Sequence, residues 1–269
     1  MNKNILLVGC SFIRGVYSDD ELDPNILDLR FGHLLYDTLT ERGLKDFNIY
    51  DTSFFCNSVP TQCMMIEQHL KHERVDYVVF QATVPNRIGL ITDIEKFMYA
   101  ISNIGMIIDE NLTRGDDRTK RNYFTLRGKN NGEDVFGKID KDLGGVWLNA
   151  GMIYHMIENN NNLLKWVTET YSEYMSCHVG DIGNWYSVQS NLSLLLYSRK
   201  LLEKSKVPFK IFEWFGYDDC ETLDTFDFSV KKEGILDNHW TDDGCHLGIT
   251  GQKNIIDNYL VDDIMKVLT

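Results

Sequence analysis

No Cys-x-x-Cys pair occurs anywhere in the 269 residues; six cysteines (Cys10, Cys56, Cys63, Cys177, Cys220, Cys245) are scattered along the whole length. At this size that spacing argues against a zinc ribbon and a disulfide framework, and points to reduced thiols in a cytosolic protein. No apolar run approaches the roughly 20 residues needed to span a bilayer. The apolar stretch within residues 1–8 is too short for a secretory signal. Positive charge is scarce: 27 Lys+Arg against 40 Asp+Glu leave a formal net charge of −13. A field of that sign repels phosphate backbones and anionic lipid, so neither nucleic acid nor membrane is an expected partner. Neither GxGxxG nor GxxxxGK followed by Ser or Thr is present, which leaves no phosphate loop for a nucleotide or flavin. No internal repeat is visible.

What is present is a core. A hydrophobic fraction of 43%, with 12% aromatic, excludes intrinsic disorder and suits one domain over residues 1–269. Residues 4–8 form a compact aliphatic run ending at Gly9, the pattern of a buried parallel strand. Phe31, Leu34, Leu35, Thr38 and Leu39 then recur at helical spacing, and Gly43 supplies a stop. Residues 47–55 and 75–81 read as strands, with a helix carrying Met64, Met65, Gln68 and Leu70 between them. Pro85 ends the second of these strands. Residues 110–150 change character, with glycines among charges and no period, and read as an insertion. Helical spacing resumes over 163–174 and 185–204; a strand follows over 207–215, and a last amphipathic helix over 250–268. Strands alternating with helices predict an α/β domain with a parallel sheet, whose chemistry gathers at the carboxyl ends of the strands.

Three loops lie at such ends: residues 9–14, 83–87 and 241–251. In the first, Ser11 follows the strand and Gly9, and admits two readings. It is an N-cap of the next helix, or a nucleophile whose own N–H faces developing negative charge. In the last, Asp243 precedes His246 by three residues, close enough for the carboxylate to hold the imidazole tautomer. A loop histidine with an acidic neighbour is the plainer reading. Cys10 offers a thiol beside Ser11, or simply a small buried hydrophobe. His69 and His72 have i, i+3 spacing, read as a solvated helix face rather than a metal site.

The blocks Leu7-Val8-Gly9-Cys10-Ser11-Phe12 and Asp243-Gly244-Cys245-His246, the latter followed by Gly248 and Gly251, together resemble those of the SGNH (GDSL-like) hydrolases. The closer likeness is to divergent SGNH-like proteins often encoded by bacteriophages. The resemblance implies a three-layer α/β/α sandwich of flavodoxin-like type. It implies Ser11 as nucleophile, His246 as base and Asp243 as the partner that orients it. The second block aligns Thr61 with a glycine whose N–H joins that of Ser11 in the oxyanion hole. The third aligns Asn86 with a side-chain donor, Thr83 lying close behind. Arg14 and Arg87 flank two of the loops and, with Thr83, are candidates for holding substrate. Cys10 stands where an Asp commonly precedes the serine, and Leu247 where Pro often follows the histidine. The implied reaction is ester hydrolysis through an acyl-enzyme, with no metal and no organic cofactor. The implied substrate is a small-molecule or glycan ester, such as an O-acetyl group, in a host cytoplasm or a virion. The rival expectation is a binding or virion-associated module that keeps the fold without turnover.

Overall fold

The computed structural model describes residues 2–10, 13, 31–53, 58–84, 89–92, 123–125, 146–149, 181–214, 217, 225–230 and 247–269. Strand β1 (Lys3–Val8) is hydrogen-bonded on both edges, to β2 (Phe47–Asp51) and to β3 (Tyr77–Ala82), in parallel. The β1–β2 register runs Lys3↔Phe47 to Leu7↔Asp51, and β1–β3 runs Ile5↔Tyr77 to Val8↔Phe80. Beyond β3 lie β7 (Phe209–Glu213) and β8 (Phe228–Ser229), again parallel. Beyond β2 lies the short β5 (Tyr123–Thr125), so the sheet order is β5-β2-β1-β3-β7-β8. Without β5, the strands follow the flavodoxin-like order 2-1-3-4-5.

Side chains alternate across this sheet, as the period of two requires. Ile5, Leu7, Tyr77, Val79 and Phe212 bury one face; Leu6, Val8, Val78, Phe80, Ala82 and Ile211 bury the other. The first face is covered by helix α1 (Phe31–Glu41) and by the carboxyl-terminal helices α4 (Ile249–Ile255) and α5 (Val261–Leu268). The second is covered by α2 (Val59–His72) and α3 (Asp181–Ser205), which pack on one another. The chain is therefore a three-layer α/β/α sandwich with a parallel sheet, as the sequence predicts. Every residue of β3 is buried, the signature of an interior parallel strand covered on both faces.

Several boundaries move for local reasons. The strand expected over 47–55 ends at Asp51, whose carboxylate accepts the Ser53 N–H (2.7 Å) and hydroxyl and turns the chain. Helix α2 begins earlier than Met64, because Ser58 is extended (φ −107°, ψ 158°) and Pro60 is pre-set for a first turn. Gly43 follows α1 with φ +93°, a left-handed conformation that glycine adopts at little cost and a Cβ-bearing residue only with strain. The last helix is not continuous α: a π-helical turn, Ile256–Leu260, joins α4 to α5. Tyr259 in that turn stacks on Phe228 (4.6 Å between centroids), which stacks on Phe212 (4.8 Å), fixing the helix against β7 and β8.

Within the stretch expected as an insertion, β5 joins the main sheet. Strand β6 (Val146–Asn149) pairs antiparallel with β4 (Gly89–Thr92), outside the main sheet. That pairing spans sixty residues of sequence, from Gly89↔Asn149 to Thr92↔Val146, and is no local hairpin. The helix expected over 163–174 lies outside the described residues. Among the described residues no helix is long and apolar enough to cross a membrane.

Candidate active site at the carboxyl rim of the sheet

From β1 the chain passes to β2 on one side and then to β3 on the other. The carboxyl ends of β1 and β3 thus form a topological switch point, where open α/β sheets leave a crevice for ligands. Gly9 and Cys10 leave β1 there, and Thr83 and Val84 leave β3 beside it.

The β1 exit is built by contact. Gly9 stands so close to the next turn that a Cβ on it would lie 3.0 Å from both Cβ and Cδ1 of Ile13. Ile13 is itself fully buried, and its N–H reaches the Cys10 carbonyl (3.1 Å), closing the turn. Gly9 does not have positive φ; glycine is required here by close approach. The Cys10 side chain is wholly buried in the core beneath the sheet, among Ile13, Phe31 and their neighbours. Its thiol therefore reads as a packed hydrophobe. The Cys10 N–H is held by the side chain of Gln81 (3.0 Å to Oε1).

The β3 exit is built by side-chain amides. Past Val8↔Phe80 the chain leaves β1, and Gln62 of α2 takes the place that β1 vacates. Its Nε2 donates to the Gln81 carbonyl (2.9 Å), and its Oε1 accepts from the Thr83 N–H (3.1 Å). One side chain thereby makes the two bonds, one residue apart on each side, that a parallel neighbour would make. The Thr83 carbonyl accepts the Tyr217 hydroxyl (2.8 Å), and Gln81 Nε2 donates to the Ala82 carbonyl. Gln62, Gln81 and Thr83 have no exposed surface at all. A buried amide group left unpaired costs about 1–3 kcal/mol, so these polar side chains are tolerated in the interior because they are paired.

Helix α2 carries Thr61, which the resemblance aligns with a glycine, in its first turn. The first intrahelical bond is from the Gln62 N–H to the Ser58 carbonyl (2.9 Å). Thr61 lies before it, inside the helix, with the ordinary right-handed backbone that any residue adopts. Its N–H belongs to the first-turn donors that a helix does not use, and Pro60 beside it contributes none. At the other side of the rim, Leu247 is buried in the same core layer as Cys10. Gln252 of α4 donates from Nε2 to the Leu247 carbonyl (2.9 Å), fixing the residue that follows His246.

Of the residues singled out from the sequence, Thr61 and Thr83 lie on adjoining elements at this rim, Thr83 within the wall. Ser11, Arg14, Asn86, Arg87, Asp243 and His246 lie outside the described residues. Gln62, Gln81, Tyr217 and Gln252 were not picked out by sequence reasoning. One signal was available: Gln81 ends an otherwise apolar run on an interior strand, so it needs buried partners. Among the described residues no group of three His, Cys, Asp or Glu side chains could hold a metal. The helix face read as solvated is split, His72 exposed but His69 buried.

No family model and no curated protein matches the chain. Among solved structures it is similar to one described as "Crystal Structure of TesA", at 11% identity and a TM-score of 0.36, over 99% of this chain and 98% of that one. A likeness of that degree carries no chemistry, which must come from this chain's own residues.

Titration away from the rim follows burial. Cys63, between α2 and α3, is pushed up to about 12, by burial first, with the Ser198 hydroxyl acting against it. Such a thiol is a weak nucleophile at neutral pH. Tyr77, at the opposite end of the sheet from the rim, is raised by burial and by the Asp263 carboxylate that accepts its hydroxyl (2.5 Å).

Proposed function

We propose that the chain is a serine hydrolase of SGNH (GDSL-like) type that cleaves an ester through an acyl-enzyme. The observation that carries the reading is the topological switch point: Gly9-Cys10-Ser11 leaves the central strand at its carboxyl end, beside the exit of β3 and the first turn of α2. Burial of the Cys10 thiol in the core speaks against a thiol nucleophile and so supports the adjacent Ser11 hydroxyl in that role.

In this mechanism Ser11 attacks the ester carbonyl while His246 takes its proton, and Asp243 steadies the imidazolium. The carbonyl oxygen becomes an oxyanion held by the N–H groups of Ser11 and Thr61 and by the Asn86 side chain. His246 then returns the proton to the leaving alcohol, and water repeats the sequence on the acyl-enzyme. The Thr61 N–H suits this work because the helix leaves it unused and the dipole of α2 favours negative charge there. Arg14 and Arg87 would hold the alcohol part, for which a polyol such as an O-acetylated glycan is the proposed class.

The test is p-nitrophenyl acetate turnover by the wild type, Ser11→Ala and Cys10→Ala. The reading expects Ser11→Ala to lose about 10³-fold or more in kcat, and Cys10→Ala to stay within a few fold. Loss with Cys10→Ala alone overturns the serine mechanism in favour of a thiol. No turnover above buffer in any form makes the chain a binding module.

A further inference from the structure

Two buried glutamines form a bridge between the segments that carry the two proposed backbone oxyanion donors. The bridge begins at Cys10, whose N–H is held by Gln81 Oε1 (3.0 Å). It continues through the backbone of Gln81, whose carbonyl is held by Gln62 Nε2 (2.9 Å). It ends on α2, where Gln62 is the next residue after Thr61. Ser11 follows Cys10 in the chain, so each proposed donor is one residue from an end of the bridge. A second bond from the Thr83 N–H to Gln62 Oε1 (3.1 Å) stops the amide from rotating, and the Tyr217 hydroxyl fixes the Thr83 carbonyl (2.8 Å). Gln81 cannot rotate freely either, because its Nε2 is engaged by the Ala82 carbonyl. Strand ladders do not perform this task, since the β1–β3 pairing ends at Val8↔Phe80.

We infer that Gln81 and Gln62 are positioning residues that set the distance and angle between the N–H groups of Ser11 and Thr61; this rests on the serine-hydrolase reading above. An oxyanion hole acts only if its donors converge on one point, and an error of about 1 Å costs on the order of 10²-fold in rate. The glutamines touch no reacting atom. Their effect is on the transition state and not on binding of the ground-state ester, so it falls on kcat.

The test compares wild type, Gln81→Met, Gln62→Met and Gln81→Glu by p-nitrophenyl acetate kinetics and by site-resolved amide hydrogen exchange. Met keeps the length of Gln and removes both polar atoms. Gln81→Met and Gln62→Met are each expected to lower kcat by about 10- to 100-fold with KM within twofold. In Gln81→Met the Cys10 amide should exchange faster by a similar factor while the Val79 amide in mid-strand is unchanged. Gln81→Glu keeps an acceptor for the Cys10 N–H and, held neutral by burial, an O–H that can still donate to the Ala82 carbonyl, so it should restore the Cys10 protection and most of kcat. Should Gln81→Met fail to fold, Gln62→Met and Gln81→Glu carry the same comparison. Folded Met variants with wild-type kcat overturn the inference and leave the hydrolase standing. So do losses confined to KM, or a fall in kcat accompanied by faster exchange at Val79 as well. A wild type without turnover overturns the hydrolase reading, and the positioning role with it.

Discussion

Replacing Gly9 by alanine tests whether the turn before Ser11 is held by packing. The added Cβ would meet Ile13 Cβ and Cδ1 at 3.0 Å and Cγ1 at 3.1 Å. Carbon pairs prefer about 3.5–4.0 Å, so roughly 0.5–1 Å must be found at three contacts together. Ile13 cannot swing into water, because it is fully buried among Cys10, Phe31 and the core of that face. Overpacking of this kind costs about 1–3 kcal/mol. Reduced freedom of the unfolded chain returns about 0.4–1 kcal/mol. The expected net loss is about 1–2 kcal/mol, read as a lower urea midpoint with an unchanged slope. A second substitution makes the cause specific. Ile13→Val deletes Cδ1, one of the three contacts, so the Gly9→Ala/Ile13→Val pair should lose less than the sum of the single changes, by about 0.5–1 kcal/mol. Gly43→Ala is the contrast: no atom lies within 4 Å of its Cβ, yet φ is +93°. It should cost about 1–2 kcal/mol that no neighbouring substitution relieves. A Gly9→Ala protein with the wild-type midpoint, or additive losses with Ile13→Val, would refute the packing argument.

Two further predictions concern buried polar groups. Cys63 is raised from 9.0 to about 12 by burial, so between those values the unfolded chain has lost a proton that the folded chain keeps. Its contribution is whole below pH 9 and declines as pH rises towards 12, by about 1.4 kcal/mol per unit. Tyr77, raised above its ordinary 10.0, adds a second decline beginning near pH 10. Urea midpoints measured from pH 8 to 11 should fall more shallowly in Cys63→Ala than in the wild type, and equal slopes would show that the thiol does not govern the alkaline limit. The second prediction ranks two glutamines. Gln62 has both amide atoms paired, whereas Gln252 Oε1 has no hydrogen-bond partner among the described residues. Gln62→Met should therefore destabilise by about 1–3 kcal/mol and Gln252→Met by less, because the latter also removes an unpaired buried acceptor; the reverse order in thermal or urea unfolding would contradict this accounting of the rim.

The layers were legible from the sequence because burial on both faces writes a continuous apolar run. Residues 4–8 read as a buried parallel strand and residues 75–81 as a strand, and both lie inside the sheet. Gly9 was legible as a point where the chain leaves the strand without a Cβ clash, and its close approach to Ile13 gives the reason. Pairings between distant segments were not legible. Nothing local in Gly89–Thr92 announces a partner at Val146–Asn149, and three residues at Tyr123–Thr125 gain strand character only from the β2 edge they lie against. The π-helical turn was hidden for a related reason: the apolar spacing of Ile255, Ile256, Tyr259 and Leu260 suits an α-helix, and its widening serves a stack on Phe228 from another element. The glutamines escaped notice because one buried polar residue looks like a surface residue until its partner, nineteen positions away, is seen.

The rim shows why such residues collect where chemistry is expected. Parallel strands diverge at their carboxyl ends so that loops can turn outward, and at that point backbone groups lose their ladder partners while remaining out of reach of water. Each orphaned group must find a side chain, from the neighbouring strand, from a loop or from the helix that packs on the same face. At β3 the side chain is Gln62 of α2, whose flat amide, like a peptide group, offers an N–H to donate and a carbonyl oxygen to accept. Satisfying the strand end therefore also fixes the first turn of α2 against it. In this chain the residue before Gln62 is Thr61, and the strand end also holds Cys10 through Gln81. The hydrogen bonds needed to leave the sheet without unpaired groups are the same ones that tie the Cys10 N–H to the first turn of α2. A substitution at Gln62 consequently acts on the fold and on the proposed oxyanion geometry together, and a split between stability and kcat across Gln62→Met and Gln252→Met is a further way to separate the two.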